Sequence, residues 1–415
     1  MDPSDLNLRH IRAFCEVARC GGISAAAGKV HLSQPAITQG LAKLERSLQV
    51  TLFARSSVGM ATTEAGLLLL QRAERALDLI KAGARACHSG SEARRGKGFS
   101  NFHQLVTSAQ LRALLAVSER ANFSLAARSV GISQPSLHRL ARDLERLSGV
   151  PLFTKVTQGV ELTQPALNLA RHVRLAFAEL QRAFEELDAT RGIDSARIMV
   201  GTLPLARSSI LPSAINALAR IRPDVQVGVV DGPYDDLLHG LRHGELDLIV
   251  GALRLPAPIG DVIQATLFQD RLAVVSRSGH PLSDKRALSL RDLAAYPWVI
   301  PKRGPPTREY FDALFQAAGL NPPKGLVESS SLVLIRGLLL GSDRLTLVSA
   351  HQIQHEERMG ILQRLPLNLD HTARPIGTTV RRGWHPTATQ LLFLDLLRQA
   401  SEHPLRPASA YSEIE

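Results

Sequence analysis

Apolar residues near the start of the chain recur at helical spacing: Ile11, Phe14, Val17 and Ala18 form one stripe, which predicts a helix buried along one face. Gly21-Gly22 stops it, since glycine readily takes the left-handed capping conformation. Ser24 is placed to cap a short helix, Ala25 to Val30, and His31-Leu32-Ser33 reads as a three-residue turn. Ser33 is a good N-cap and Pro35 suits a first helical turn. The helix they open is predicted to reach about Glu45 and to bury Ile37, Leu41 and Leu44. Leu52-Phe53-Ala54-Arg55 leads into a hairpin at Gly59, and Leu69, Ala73, Ala76, Leu77 and Ile80 trace the seam of a long helix after Thr63.

This pattern returns one hundred positions later. Arg12-Ala13 matches Arg112-Ala113, Ser33-Gln34-Pro35 matches Ser133-Gln134-Pro135, Leu44-Glu45-Arg46 matches Leu144-Glu145-Arg146, and Leu52-Phe53 matches Leu152-Phe153. The second set has its own predicted core: Leu114, Val117, Phe123, Ala127, Val130, Ile132, Leu137, Leu140 and Leu144. Thr163 caps a second long helix whose predicted seam is Leu167, Ala170, Val173, Phe177, Leu180, Phe184 and Leu187. A constant offset without insertion predicts a duplicated domain, and two copies are too few for a solenoid, which needs about three. The glycine-rich polar stretch around 88–101 reads as a flexible tether.

A short helix, a three-residue turn and a capped second helix make a helix-turn-helix, whose second helix presents its N-terminal residues to base edges in the major groove. The outward positions are Gln34, Ala36, Thr38 and Gln39 in the first copy, and Gln134, Ser136, His138 and Arg139 in the second, whose helix also carries Arg142 and Arg146. Gln pairs with adenine, Arg with guanine, and Ala meets the thymine methyl. Ser33 and Ser133, at helix N-termini, are candidates for phosphate contact, and Arg55 and Lys155 stand at the bases of the two hairpin wings. Spacing alone leaves open a three-helix packing unit that never touches DNA.

After Arg197 strands and helices alternate. Predicted strands are 197–202, 225–230, 246–251, 272–275, 298–300, 326–327, 345–348 and 375–380, with helices at 209–219, 235–243, 307–318, 332–340 and 387–399. Such βαβ order predicts parallel sheets in two lobes with a ligand cleft between them. Candidate cleft residues are Thr202, Gly232 and Pro233 at strand ends, with Ser208, Ser209, Ser329, Ser330 and Ser331 at helix starts. Two helix N-termini facing one cleft would favour an anion, although simple N-capping accounts for the serines equally well.

Charge sharpens the division. Residues 1–195 carry 25 basic and 17 acidic side chains, against 24 and 21 in residues 196–415, so the excess sits with the repeated part and suits a polyanionic partner. Cys15, Cys20 and Cys87 have no metal-like spacing; Cys15 and Cys20, on the apolar face of a predicted helix, read as core thiols, which fits a reducing compartment. No apolar run approaches the ~20 residues of a membrane span, and the start lacks a signal-peptide pattern, so a cytoplasmic protein without membrane partners is expected. Neither a phosphate-binding loop nor a hydrolase elbow is present. His351 and His355, an i,i+4 histidine pair, read as part of a surface segment; no metal, cofactor or catalytic residue is expected. Two rival readings remain at this level: a ligand-binding α/β module whose duplicated helices bind protein, and an enzyme of unknown reaction.

The composite Ala-Ala…Ser-Gln-Pro…Leu-Glu…Leu-Phe…Thr, over about residues 6–85 and again over about 107–190, resembles the winged helix-turn-helix of LysR-type transcriptional regulators. Leu211-Pro212, Arg222-Pro223-Asp224-Val225, Gly244-Glu245-Leu246-Asp247-Leu248 and Ser278-Gly279-His280-Pro281-Leu282 are similar to that family's effector domain. The resemblance implies a multidomain fold: two winged helix-turn-helix domains with long linker helices (1–87 and 102–191, joined by 88–101), then a two-lobed, periplasmic-binding-protein-like α/β effector domain (192–402) and a tail (403–415). Lobe 1 would take about 196–270 and 375–402, and lobe 2 about 271–374. It also implies double-stranded DNA and a small carboxylate or phosphorylated effector as partners, a homo-oligomer, and RNA polymerase as a further partner. The family usually carries one winged domain, and a glycine where the first copy has Gln49; the second copy keeps Gly149. Both linker helices have an apolar seam, so one chain could pair them internally. Arginines on the second reading helix predict the tighter DNA binder there.

Overall fold

The structure is a computed structural model describing residues 3–56, 59–88, 101–157 and 159–402. The tether at 89–100 and the tail at 403–415 therefore lie outside the described residues. The chain forms two compact units, Met1–Arg197 and Ile198–Glu415.

The first unit holds two sets of elements in the same order. The first set is α1 (Leu8–Cys20), α2 (Ile23–Val30), α3 (Gln34–Leu48), β1 (Phe53–Ser56), β2 (Gly59–Thr62) and α4 (Glu64–His88). A short lead-in, α5 (Phe102–Leu105), precedes the second: α6 (Ser108–Arg120), α7 (Phe123–Ser129), α8 (Gln134–Ser148), β3 (Phe153–Val156), β4 (Gly159–Leu162) and α9 (Gln164–Thr190). Both hairpins are antiparallel, Phe53 facing Thr62 and Phe153 facing Leu162.

The repeated residues are those that set this geometry. Ser33 and Ser133 cap α3 and α8, accepting from the amides of Ala36 and Ser136. The Glu45 carboxylate accepts the Leu52 amide at 2.8 Å, and Glu145 accepts those of Leu152 and Phe153 at 2.9 and 3.1 Å, so each reading helix holds the start of its own wing. Thr63 and Thr163 each donate to the backbone before the wing, at Thr51 and Pro151, and cap the following helix. The left-handed Gly149 (φ 72°) ends α8, and Gln49 takes the same conformation (φ 55°) at the end of α3.

Three local expectations need correction. α2 begins at Ile23 with Gly22 at its N-cap, so Ser24 lies inside the first turn; in the second copy Asn122 caps, accepting from Ser124 and Leu125. Ile132 is exposed, because Gly131 (φ 71°) turns the chain outward there. Leu167 is exposed as well: the buried stripe of α9 passes through Ala166, Leu169 and Ala170, one helical step to the side.

Helices α4 and α9 pair with each other inside the chain. Their seam buries Leu69, Ala73, Ala76 and Ile80 against Val173, Ala176, Phe177, Leu180 and Ala183. The many alanines let the backbones approach closely, and each fully buried large apolar side chain contributes roughly 1.5–3 kcal/mol. Reciprocal contacts flank the seam. Arg12 donates to the carbonyls of His103 and Val106 at the lead-in to the second set, and Arg112 pairs with Asp5, in the short turn Pro3–Asp5 that precedes α1. His88, at the end of α4, bonds the Ser148 carbonyl at the end of α8. Arg191, just past α9, bonds Gln49 at the end of α3. Each linker helix thus ends on the other copy's reading helix, a near two-fold arrangement within one chain.

At one end of the seam Arg72 is buried between Glu179 (3.0 Å) and Glu186 (2.5 Å), and Arg75 and Arg182 also reach Glu179. Burial would push the Glu179 carboxyl up, but Arg182, Arg75 and Arg72 outweigh it and hold it below its ordinary value of 4.5. A carboxylate whose folded value is depressed contributes stability above its unfolded value and loses it as pH falls through the folded one. The stability gap between wild type and Glu179→Gln should therefore shrink between neutral pH and about pH 3; a gap that stays constant in denaturant titrations would contradict this origin.

Cys15 is buried and Cys20 half-buried, as the core reading expects, and Cys87, for which the sequence gives no such reading, is buried as well. Burial pushes the Cys15 and Cys87 thiols up to about 12. Both should resist alkylation at pH 8 until the protein unfolds, as mass spectrometry of labelled peptides would register.

The second unit has two sheets. One has the order β6 (Gln226–Asp231), β5 (Arg197–Thr202), β7 (Leu248–Ala252), β14 (Arg374–Arg381), β8 (Val262–Asp270), with helices α10 (Ile210–Ile221), α11 (Tyr234–His243) and α16 (Ala388–Glu402). The other has the order β11 (Val327–Glu328), β10 (Trp298–Ile300), β12 (Leu345–Ser349), β9 (Leu272–Arg277), β13 (Leu362–Arg364), with α12 (Leu290–Ala294), α13 (Pro306–Ala317), α14 (Leu332–Leu340) and α15 (Gln354–Arg358). The sheets are mixed, not purely parallel: β14 runs antiparallel to β7 and β8, and β9 to β12 and β13. Strand β8 escapes the sequence pattern because it is an edge strand whose apolar and polar residues follow no clean alternation, with Ile263 exposed.

Candidate DNA-reading helices and effector cleft

The N-terminal turns of α3 and α8 meet solvent. Gln34, Ala36, Thr38 and Gln39 are exposed, as are Ser33, Ser133, Gln134, Arg139, Arg142 and Lys155; Ser136 and His138 are half-buried. Arg55 lies on strand β1, and its side chain is outside the described residues. Among the described residues no carboxylate pairs with Arg139, Arg142 or Lys155, so their charge remains available to an outside anion.

The two reading helices are not equally free. Gln134 accepts from the Ser124 hydroxyl at 2.8 Å, which fixes its amide and points its NH2 donors outward. His138 stacks on Phe123 with ring centroids 4.0 Å apart, and the Ser136 hydroxyl accepts from Ser133. In the first copy the Thr38 hydroxyl donates back to the Gln34 carbonyl, so its outward face is chiefly the methyl group. The supporting roles of Phe123 and Ser124 have no signal in the sequence beyond their position one helix upstream of matching polar residues.

In the effector domain the candidate residues fall on both lobes. Thr202, at the end of β5, is fully buried and donates to the Leu203 carbonyl. Ser208 donates to Leu205, whereas the Ser209 hydroxyl at the start of α10 is buried without a hydrogen-bond partner. Gly232 and Pro233 join β6 to α11. In the other lobe Ser331 caps α14, the Ser329 hydroxyl accepts the Ser331 amide, and Ser330 is exposed. No hydrogen bond among the described residues joins the serines of one lobe to those of the other.

The lobes meet instead where the chain crosses between them. Fully buried Asp270, at the end of β8, accepts from the Ser349 hydroxyl (2.6 Å) and faces His351 (3.2 Å) and Arg374 (3.5 Å). His351 also packs on Phe268, and Glu356 is buried beside Arg336. The expectation of a surface segment needs correction at His351, which reaches the inter-lobe Asp270, whereas His355 is exposed; a polar composition concealed the contact.

Paired winged helices with open reading faces, joined to a two-lobed α/β domain, define a DNA-binding transcriptional regulator with an effector-binding domain. Comparison with known proteins gives the family. A profile described as "Bacterial regulatory helix-turn-helix protein, lysR family" matches residues 8–67 and again 108–167, and "LysR substrate binding domain" matches 191–402. The HTH-type transcriptional regulator GalR of Pseudomonas putida is 35% identical over 95% of this chain and 97% of its own length. GbpR of Azospirillum brasilense is 30% identical over 74% of this chain and 91% of its own. Full-length CbnR in complex with its target DNA shares the fold at 21% identity, covering 70% of this chain and 98% of CbnR with a TM-score of 0.50. The chain belongs to the LysR family of transcriptional regulators, and its activity is regulation rather than catalysis. No helix among the described residues is long and apolar enough to cross a membrane.

Proposed function

We propose that this regulator acts in the cytoplasm with a duplicated winged helix-turn-helix, one chain placing two reading helices on a single stretch of double-stranded DNA. The observation that carries this reading is the α4–α9 pairing, which holds the copies together while both reading faces stay open. GbpR and CbnR align over nearly all of their own length yet leave over a quarter of this chain unmatched, which fits an added copy. The first copy would read through Gln34, Ala36, Thr38 and Gln39, and the second through Gln134, Ser136, His138 and Arg139. Ser33, Ser133, Arg142, Arg55 and Lys155 would position the phosphates. The second copy, richer in unpaired arginine, would supply more of the affinity.

The proposed effector is a small carboxylate or phosphorylated metabolite held between the lobes by Thr202, Ser208, Ser209, Gly232 and Pro233 from one side and Ser329, Ser330 and Ser331 from the other. The buried, unpartnered Ser209 hydroxyl at a helix start supports an anionic group there. Effector binding shifts the regulator only by its different affinity for two lobe arrangements, and RNA polymerase would read the resulting change at the promoter, with oligomers of the chain as the assembled form. In thermal-shift screening of the full chain, carboxylates or phosphorylated metabolites should raise the unfolding temperature of the effector domain. A ligand at 100 times its Kd stabilises by about 2.7 kcal/mol, and Ser209→Ala should reduce that gain. Stabilisation by neutral or cationic compounds alone would contradict the anionic reading.

A further inference from the structure

The ion set at the linker seam is one-sided. The hundred-residue offset maps Arg72 onto His172, Arg75 onto Leu175, Glu179 onto Leu79 and Glu186 onto Ala86. The near two-fold arrangement therefore has guanidinium–carboxylate pairs at one end and only small, apolar or imidazole side chains at the image positions. Gly83 adds a steric asymmetry: a Cβ there would stand 2.8 Å from the His172 Cβ, and its image is Ala183.

We infer that Arg72, Arg75, Glu179 and Glu186 make this seam heterospecific, accepting α4 against α9 and rejecting α4 against α4 or α9 against α9. In the same geometry an α4–α4 pair would set Arg72 and Arg75 against Leu79 and Ala86, twice over by symmetry. Those guanidiniums would be buried without a carboxylate, an arrangement far less stable than the paired one. An α9–α9 pair would leave Glu186 without Arg72 and press the Ala183 methyl onto His172; Glu179 would keep only Arg182 from its own helix. The seam thus selects one pairing of three, so the DNA-reading unit is assembled from one copy of each kind of winged domain. The α4 of a second copy of this chain, or a linker helix of ordinary seam composition, would not displace α9 from α4. The inference concerns the pairing alone, and only its consequence for the operator rests on the DNA-binding reading.

A charge swap in the full chain tests it. Arg72→Glu/Arg75→Glu and Glu179→Arg/Glu186→Arg each place like charges across the seam, and each should lower the midpoint of the first unfolding transition and weaken operator binding by about tenfold or more. The fourfold variant carrying both exchanges restores opposite charges and should return to within about threefold of wild-type affinity, since coupled residues are strongly non-additive. Mixing the two double variants should also restore the seam between chains and raise the molar mass in light scattering, whereas either alone should not. A fourfold variant no better than the worse double, or a double variant indistinguishable from wild type, would overturn the inference. Recovery of the unfolding midpoint without recovery of DNA binding would leave the seam inference standing and count against the DNA reading.

Discussion

Replacing Gly159 with alanine is expected to destabilise the second winged domain by about 2–4 kcal/mol, the sum of backbone strain and overpacking. Gly159 opens β4 with φ of 142°, and an added Cβ would run into the Ala121 carbonyl oxygen. That carbonyl accepts the Val160 amide at 3.0 Å and so pins the wing to the end of α6. The first copy repeats the device: Met60 donates to Gly21, and a Cβ on Gly59 would stand 2.7 Å from the same oxygen. Gly131→Ala is the control, because it also has positive φ (71°) but meets no atom within 4 Å; its cost should be about 1 kcal/mol, from the conformation alone. Denaturant titration should separate the two substitutions. Equal losses would mean that the clash with Ala121 is relieved by a small shift and that the wing is not pinned as described.

The second large effect is on DNA. Gln134→Ala and Arg139→Ala should each cost about 1–3 kcal/mol on the preferred operator and relax sequence preference at one base pair. Gln134 loses an amide already oriented by Ser124, so Ser124→Ala should weaken the same position by a smaller amount. Lys155→Ala should instead weaken all sequences alike and reduce the salt slope by about one. Binding titrations against a panel of operator variants over a range of salt would separate these outcomes. A loss for Arg139→Ala that is uniform across sequences would move that residue from base reading to phosphate contact.

Much of the first unit was legible because its signals are local. Helical periodicity, the Ser33 and Ser133 caps and the left-handed glycines all act within a few residues of themselves, and the offset of one hundred checked each against its counterpart. Contacts made across the repeat were less visible. Arg12 and Arg112 were noticed as a match, but nothing near them in sequence shows that each reaches the other copy's lead-in. The linker seam was readable as apolar stripes, whereas the Arg72–Glu179–Glu186 set was not, because the partners stand over a hundred residues apart. In the effector domain, buried strands such as Leu248–Ala252 announced themselves by apolar runs. The edge strand Val262–Asp270 did not, since its apolar and polar residues follow no clean alternation, and the burial of Asp270 is created only by the tertiary fold.

In the proposed mode of binding, one chain sets two different reading helices side by side on DNA. Hydroxyl-radical footprinting of the full chain on its operator tests it most directly, comparing wild type with Gln34→Ala/Gln39→Ala and with Gln134→Ala/Arg139→Ala. Wild type should protect two neighbouring stretches of unlike sequence, and each double variant should lose protection over a different one. Identical protection by all three proteins, or loss of the same stretch in both variants, would contradict the claim.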